Sequence, residues 1–247
     1  LDEPTASLDL GHAQTVLEPV LRQGTVKTSG LGLPLALCGG FALTYSVNVG
    51  SQRFALRCFH KESSELERRY RAVANRLSQL ASPYFLRFEF VSPGIRVNGA
   101  TYPIVKMAWA SGETLSEFLE REHGNASAIS RLRTALSALG AYLEREGIAH
   151  GDIQPGNVMV SAGGATVNLI DYDGMYVGEL KGARATELGQ RNFQHPRRTA
   201  VDFNEKLDRF SFIALDVALH ALTIDPALWQ RSMSEPEAVV FRAQDHA

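Results

Sequence analysis

Two apolar runs separated by only two residues constrain this chain more than any other feature of it. Residues 41–49 and 52–59 are rich in β-branched and aromatic side chains, and Gly50-Ser51 between them has room only for a tight turn. An antiparallel hairpin is therefore expected, and with it a sheet in the first part of the chain. Helical spacing takes over at 62–80, where Leu66, Tyr70, Val73, Leu77 and Leu80 recur at threes and fours until Pro83 stops the pattern. Strands are expected again at 85–91, 95–97 and 102–109.

After Gly112 the pattern turns helical. One helix is expected over 114–122. A longer one spans 128–144, with Leu132, Leu136, Leu139 and Leu143 on one face and Gly147 as its stop. Short strands at 157–160 and 166–170 flank Gly163-Gly164, and 208–222 reads as an apolar, buried helix. A sheet-rich part joined near 108–112 to a helix-rich part implies two lobes with a ligand cleft between them.

Composition narrows the class. At 45% hydrophobic and 21% charged residues the chain folds rather than staying disordered. Lys and Arg number 25 against 27 Asp and Glu, so no overall basic field points to nucleic acid or to a membrane surface. Cys38 and Cys58 lie in apolar surroundings and read as reduced interior residues. The most apolar stretch, 30–43, is too short to span a bilayer and is broken by Pro34, Gly39 and Gly40. No leader is visible, and a cytoplasmic location is expected.

The chemistry lies in His150-Gly151-Asp152-Ile153-Gln154-Pro155-Gly156-Asn157 and, after a short apolar strand, Asp171-Tyr172-Asp173-Gly174. An isolated Asp in a turn ordinarily only bonds backbone; the ordered set is more specific. It resembles the catalytic and metal-binding loops of the protein kinase superfamily, written H-x-D-x-x-x-x-N and D-F-G. The resemblance implies an α+β, bilobal protein kinase-like fold: an antiparallel N-lobe sheet with one main helix, then a helical C-lobe. It also implies ATP with Mg²⁺ (or Mn²⁺), Asp152 as base toward an acceptor hydroxyl, and Asn157 and Asp171 as metal ligands. His150, Tyr172 and Asp208 are implied as structural supports, Asp208 opening a helix whose carboxylate braces the catalytic loop.

The likeness runs from about Gly30 to about Leu222. Leu37-Cys-Gly39-Gly40-Phe41-Ala42-Leu43-Thr44-Tyr45 resembles a degraded glycine-rich loop, and Phe54-Ala55-Leu56-Arg57 the V-A-I-K strand. Segment 105–112 is similar to the hinge. The implied nucleotide contacts are Gly39, Gly40, Thr44, Ala55, Arg57, Met107, Ala108, Ala110 and Met159. Residues 1–28 are expected to be an extension, 29–110 the N-lobe, and 111–247 a C-lobe shorter than a full one.

Departures from the family pattern bear on activity. Arg57 stands for the usual lysine, Gly151 for the Arg of H-R-D, Gln154 for the catalytic-loop lysine and Arg197 for the Glu of A-P-E. Counting places the usual partner glutamate near Val73, while Glu65 and Glu67 read as solvated helix charges. Alternation turns Lys106 away from the face that carries Met107. Residues 1–9, Leu-Asp-Glu-Pro-Thr-Ala-Ser-Leu-Asp, resemble the Walker B segment of ABC ATPases, yet the chain has no phosphate-cradling G-x-x-x-x-G-K-[ST] loop. The implied function is ATP-dependent transfer to a protein Ser or Thr hydroxyl. The alternatives are a small-molecule phosphotransferase of the aminoglycoside or choline type, which shares H-G-D, and a pseudokinase that binds nucleotide without chemistry. The resemblance implies a protein substrate as partner, with no nucleic acid and no membrane.

Overall fold

The structure is a computed structural model that describes residues 16–38, 42–59, 64–232 and 238–246. Residues 1–9 and the glycines Gly39 and Gly40 lie outside these. The chain divides into two compact units, one running to Ala81 and taking in Leu86–Trp109, the other made of Ser82–Phe85 and the residues from Ala110 on.

The first unit is built on the expected hairpin. β3 (Ala42–Val49) and β4 (Gln52–Phe59) pair antiparallel in unbroken register from Ala42 opposite Phe59 to Val49 opposite Gln52. Gly50 makes the turn at φ +57, a conformation that costs a glycine little. β1 (Thr25–Val26) and β2 (Ala36–Cys38) also pair with β3, and the main sheet runs β1-β3-β4-β6-β5. β5 (Phe88–Val97) and β6 (Ala100–Ala108) close the far edge.

The two short strands expected at 85–91 and 95–97 are one strand. The ladder slips between Val91 and Ile95 and then resumes, because a bulge there accommodates Pro93, which has no N–H to donate. The carbonyl of Gly94 in that bulge accepts from Leu17 N at 2.8 Å. From Val16 the chain already contributes to this unit's core, ahead of residue 29. Val16 and Leu21 are buried with Tyr45, Leu56 and Ile104 on one sheet face. Tyr70 of α1 (Ser64–Leu80) stacks against Phe88 and Phe90 of β5.

Lys106 lies in β6 on the side that alternation assigns it, opposite Leu56. It is 6% exposed and its Nζ meets Glu18 Oε1 at 2.9 Å and Glu89 Oε2 at 3.3 Å. Glu18 also accepts Leu21 N through Oε2 at 2.6 Å. Breaking such a pair from one side leaves a buried charge without its partner. Lys106→Met should therefore destabilise by about 3–5 kcal/mol, and adding Glu18→Gln should recover most of it. Urea unfolding checks both; a single-variant cost below about 1 kcal/mol would mean the pair does not hold this segment.

Cys58 in β4 is free and buried, and desolvation pushes its thiol up to about 12. At pH 8 roughly one molecule in ten thousand carries the reactive thiolate. Iodoacetamide should leave Cys58 unmodified in the folded protein and alkylate it in guanidinium, as site-resolved mass spectrometry would read. Native labelling at the rate of an open thiol would contradict the burial.

In the second unit, β7 (Glu113–Thr114), β8 (Val158–Ser161) and β9 (Thr166–Leu169) form a small sheet. Thr114 caps α2 (Leu115–Glu122) in a reciprocal box with Glu117. α3 (Ala126–Arg145) starts at Asn125, whose side chain accepts from Ala128 N, and buries Leu132, Leu136, Leu139 and Leu143 as the spacing predicts. α4 (Arg209–Ile224) is less buried than its composition suggests. Leu215, Leu219 and Leu222 are covered, whereas Ile213 is 63% and Val217 48% exposed. Apolar composition sets how much a helix would bury; the neighbours decide which face is covered. α5 (Leu228–Ser232) follows. Among the described residues, no helix is long and apolar enough to cross a membrane.

Candidate active site

Gly147, at φ +65, ends α3, and the backbone that follows is held by side chains and by a single backbone bridge. Asp208, the residue before α4, reaches this loop from 57 positions further along the chain. Its Oδ2 accepts His150 N at 2.5 Å and its Oδ1 accepts Gly151 N at 2.8 Å. Burial pushes the Asp208 carboxyl above its ordinary range, against the pull of the two backbone N–H groups that it accepts. Folding thus raises its proton affinity, so it opposes folding as pH rises above the unfolded carboxylate pKa, and the two N–H bonds offset part of that cost.

His150 is fully buried and uses both ring nitrogens. Nε2 stands 2.9 Å from Ile170 O, which can only accept, so Nε2 carries the proton and Nδ1 accepts Asp152 N at 3.4 Å. Gly151 takes φ +82, and a Cβ there would lie 2.2 Å from the carbonyl oxygen of Gly174. Ala149 and Tyr176 pair across the same place through N–H···O bonds of 3.1 and 2.9 Å.

Three N–H donors converge on the two carboxylate oxygens of Asp152 and fix its plane. Oδ1 accepts Gln190 N at 2.7 Å; Oδ2 accepts Gln154 Nε2 at 2.8 Å and Asn157 Nδ2 at 2.9 Å. Asn157 Nδ2 also donates to Asp152 O at 3.0 Å. With its amide nitrogen turned to Asp152, Asn157 presents Oδ1 the other way, as an oxygen donor.

The second loop is tied to the first through Ile170. Its N donates to Asn157 O at 3.0 Å and its O accepts from His150. Asp171 follows at φ +64, in the left-handed region that a non-glycine residue rarely adopts. Tyr172 is buried, donates its hydroxyl to Leu169 O at 2.7 Å, and lies edge-on to His150 and Phe85. The structure thus ties His150, Asp152, Asn157, Tyr172 and Asp208 into one cluster, with Asp171 lying between Ile170 and Tyr172 in the chain.

Segment 187–198 completes the surroundings of Asp152, and nothing local in the sequence marks it for that place. The bond from Gln190 uses its backbone N–H, which any residue but proline offers. Arg198 Nη1 donates to Gly151 O at 2.7 Å and also to Gln194 Oε1. Desolvation lowers the Arg198 pKa, opposed by the charges of Asp208, Asp152, Glu187 and Asp202. At Gly189, φ +73, a Cβ would lie 2.7 Å from Asp152 Oδ1.

The remaining sequence-predicted residues divide between the units. Within the first, Thr44 pairs with Arg57 and Ala55 with Met107, so alternation puts all four on one sheet face, the face with Phe88. Arg57 is 8% exposed. Ala108 lies on the other face with Lys106. Val73 of α1 is buried with no carboxylate at its position, while exposed Glu65 and half-buried Glu67 meet Arg69 and Arg71 one turn on. In the second unit, Met159 of β8 is buried opposite Asn168, and Ala110 is the first residue of its main run.

No family model matches the sequence, and no curated protein does. Among solved structures the chain is similar to the kinase PK-1 of Cydia pomonella granulovirus, with a TM-score of 0.55 at 15% identity, covering 81% of this chain and 71% of that one. The fold is protein kinase-like.

Proposed function

We infer that the chain is an ATP-dependent phosphotransferase that moves the γ-phosphoryl group to a hydroxyl of a protein, Ser or Thr. The observation that supports this reading best is the fixed Asp152 carboxylate beside an Asn157 whose amide oxygen is left over. Asp152 is the base: it orients the acceptor hydroxyl and takes its proton as the oxygen attacks the γ-phosphorus. Asn157 and Gln154 keep the carboxylate plane from rotating, and Asp208 keeps the loop backbone in place.

Asn157 Oδ1 and the Asp171 carboxylate suit Mg²⁺, a hard ion that takes oxygen ligands and is usually held by few protein groups plus phosphate oxygens. Bound Mg²⁺ would neutralise charge on the nucleotide phosphates. Thr44, Ala55, Arg57 and Met107 form the nucleotide-facing surface of the first unit in this reading. Arg57 keeps the charge of the usual lysine in a planar fork.

A transfer assay with labelled ATP and Mg²⁺ against protein acceptors and an aminoglycoside panel tests the reading, with Asp152→Asn as control. Label on protein in the parent and not in the control supports it. Label on the small molecules alone would move the function to the H-G-D phosphotransferases, a reading that Gly151 and its crowded Cβ position favour. Nucleotide binding with no transfer at all would leave a pseudokinase.

A further inference from the structure

Segment 181–198 carries five cationic side chains, Lys181, Arg184, Arg191, Arg197 and Arg198, against one carboxylate, Glu187, in a chain whose net charge is −2. The segment is anchored beside Asp152 at two points, through Gln190 N and through Arg198 on Gly151 O. Between them the 3₁₀ turn Arg191–Phe193 is seated by burial of Asn192 and Phe193, and Ser211 Oγ donates to Phe193 O at 2.6 Å. Arg191 and Arg197 each adjoin an anchor residue. Both are exposed, and neither makes an ion pair among the described residues.

Four other arginines on this unit are neutralised where they stand, while Arg131 donates to the backbone oxygen of Gly163. Arg133 pairs with Asp216, Arg209 with Glu144, Arg121 with Glu113 and Glu122, and Arg145 with Glu146. Arg198 sits among carboxylates of its own. Uncompensated positive charge is therefore placed next to the candidate catalytic loop, at two positions that the fold holds still. Fixed like charges of this kind attract and orient an oppositely charged partner.

We propose that the acceptor is an acidic polypeptide, whose Asp, Glu or phosphorylated side chains flanking the hydroxyl are bound by Arg191 and Arg197. The proposal rests on the phosphotransferase reading for the role of the hydroxyl; the binding it asserts does not. Gln190 contacts Asp152 directly, so the acidic residues lie within about two to four positions of the acceptor at roughly 3.3–3.6 Å of chain per residue. A polypeptide is favoured over single-stranded nucleic acid because the only Phe, Tyr or Trp in 181–198 is Phe193, which is buried and offers no face for a base to stack on.

The test is fluorescence anisotropy of the full chain with labelled Ser peptides in Glu-rich, Ala-rich and Lys-rich frames, and with an oligo-dT of equal charge. At about 50 mM salt the Glu-rich peptide should bind about tenfold tighter than the Ala-rich one, with the advantage shrinking at about 300 mM. Arg191→Glu with Arg197→Glu should abolish the preference, Arg191→Ala with Arg197→Ala should reduce it, and Arg145→Glu should leave it unchanged. Equal binding of the Glu-rich and Ala-rich peptides, or an unchanged preference in the charge-reversed variant, overturns the proposal. So does tighter oligo-dT binding that the same variant removes. Transfer from ATP to the same peptides is read separately: a preference without transfer overturns the phosphotransferase reading and leaves the surface assignment standing.

Discussion

Asp152→Asn should lower phosphoryl transfer by about 10²–10⁴-fold, the range that a positioned base contributes, while nucleotide affinity stays within about twofold. The substitution removes the proton acceptor but keeps the shape. One amide oxygen can still accept Gln190 N; the new amide nitrogen then faces Gln154, whose own amide can turn to offer its oxygen. Asn157 retains its second bond, to the backbone oxygen of residue 152. A stability loss of about 1–2 kcal/mol is therefore expected, too small to account for the loss of rate. Transfer at the parental rate would remove Asp152 from the chemistry, whatever its geometry.

The second large effect concerns a residue with no side chain. Gly151→Ala places a methyl group 2.2 Å from Gly174 O, on a backbone at φ +82. Neither atom can yield easily, because Asp208 holds the N–H groups of His150 and Gly151 while Ala149 and Tyr176 pair beside them. The left-handed conformation alone costs a side-chain-bearing residue about 1–2 kcal/mol, and the collision adds to it. An expected loss of about 3 kcal/mol or more corresponds to a fall in Tm of about 6–12 °C for a chain of this size. Gly151→Arg, which would restore the H-R-D spelling of the family resemblance, should do no better. A Gly151→Ala protein that melts within about 2 °C of the parent would mean that the loop does not take this backbone path.

Much of the fold could be read because its signals are local. The hairpin follows from two apolar runs and a two-residue spacer, α3 from leucines at helical spacing, and its end from Gly147. The pairing of Asp152 with Asn157 is local too, five positions apart within one loop. β5 was harder: 85–91 and 95–97 read as two strands because Pro93 interrupts the alternation, and only pairing with β6 shows that the ladder resumes. The apolar length of α4 suggested complete burial, yet nothing within that segment says that Ile213 and Val217 face outward. Cys58 read as an interior thiol from its apolar neighbours alone.

At the candidate site the division follows the kind of atom involved. Residues whose proposed roles use their side chains, such as His150, Asp152, Asn157 and Asp171, leave a trace in the order of letters, because the proposed chemistry demands those functional groups at those separations. Gln190 acts on Asp152 through a backbone N–H, Gly189 by lacking a Cβ, and Arg198 by reaching Gly151 O from 47 positions away. Such contacts place almost no demand on residue identity or spacing. They exist because burial brought distant backbone against the loop, and that is a property of the folded chain alone.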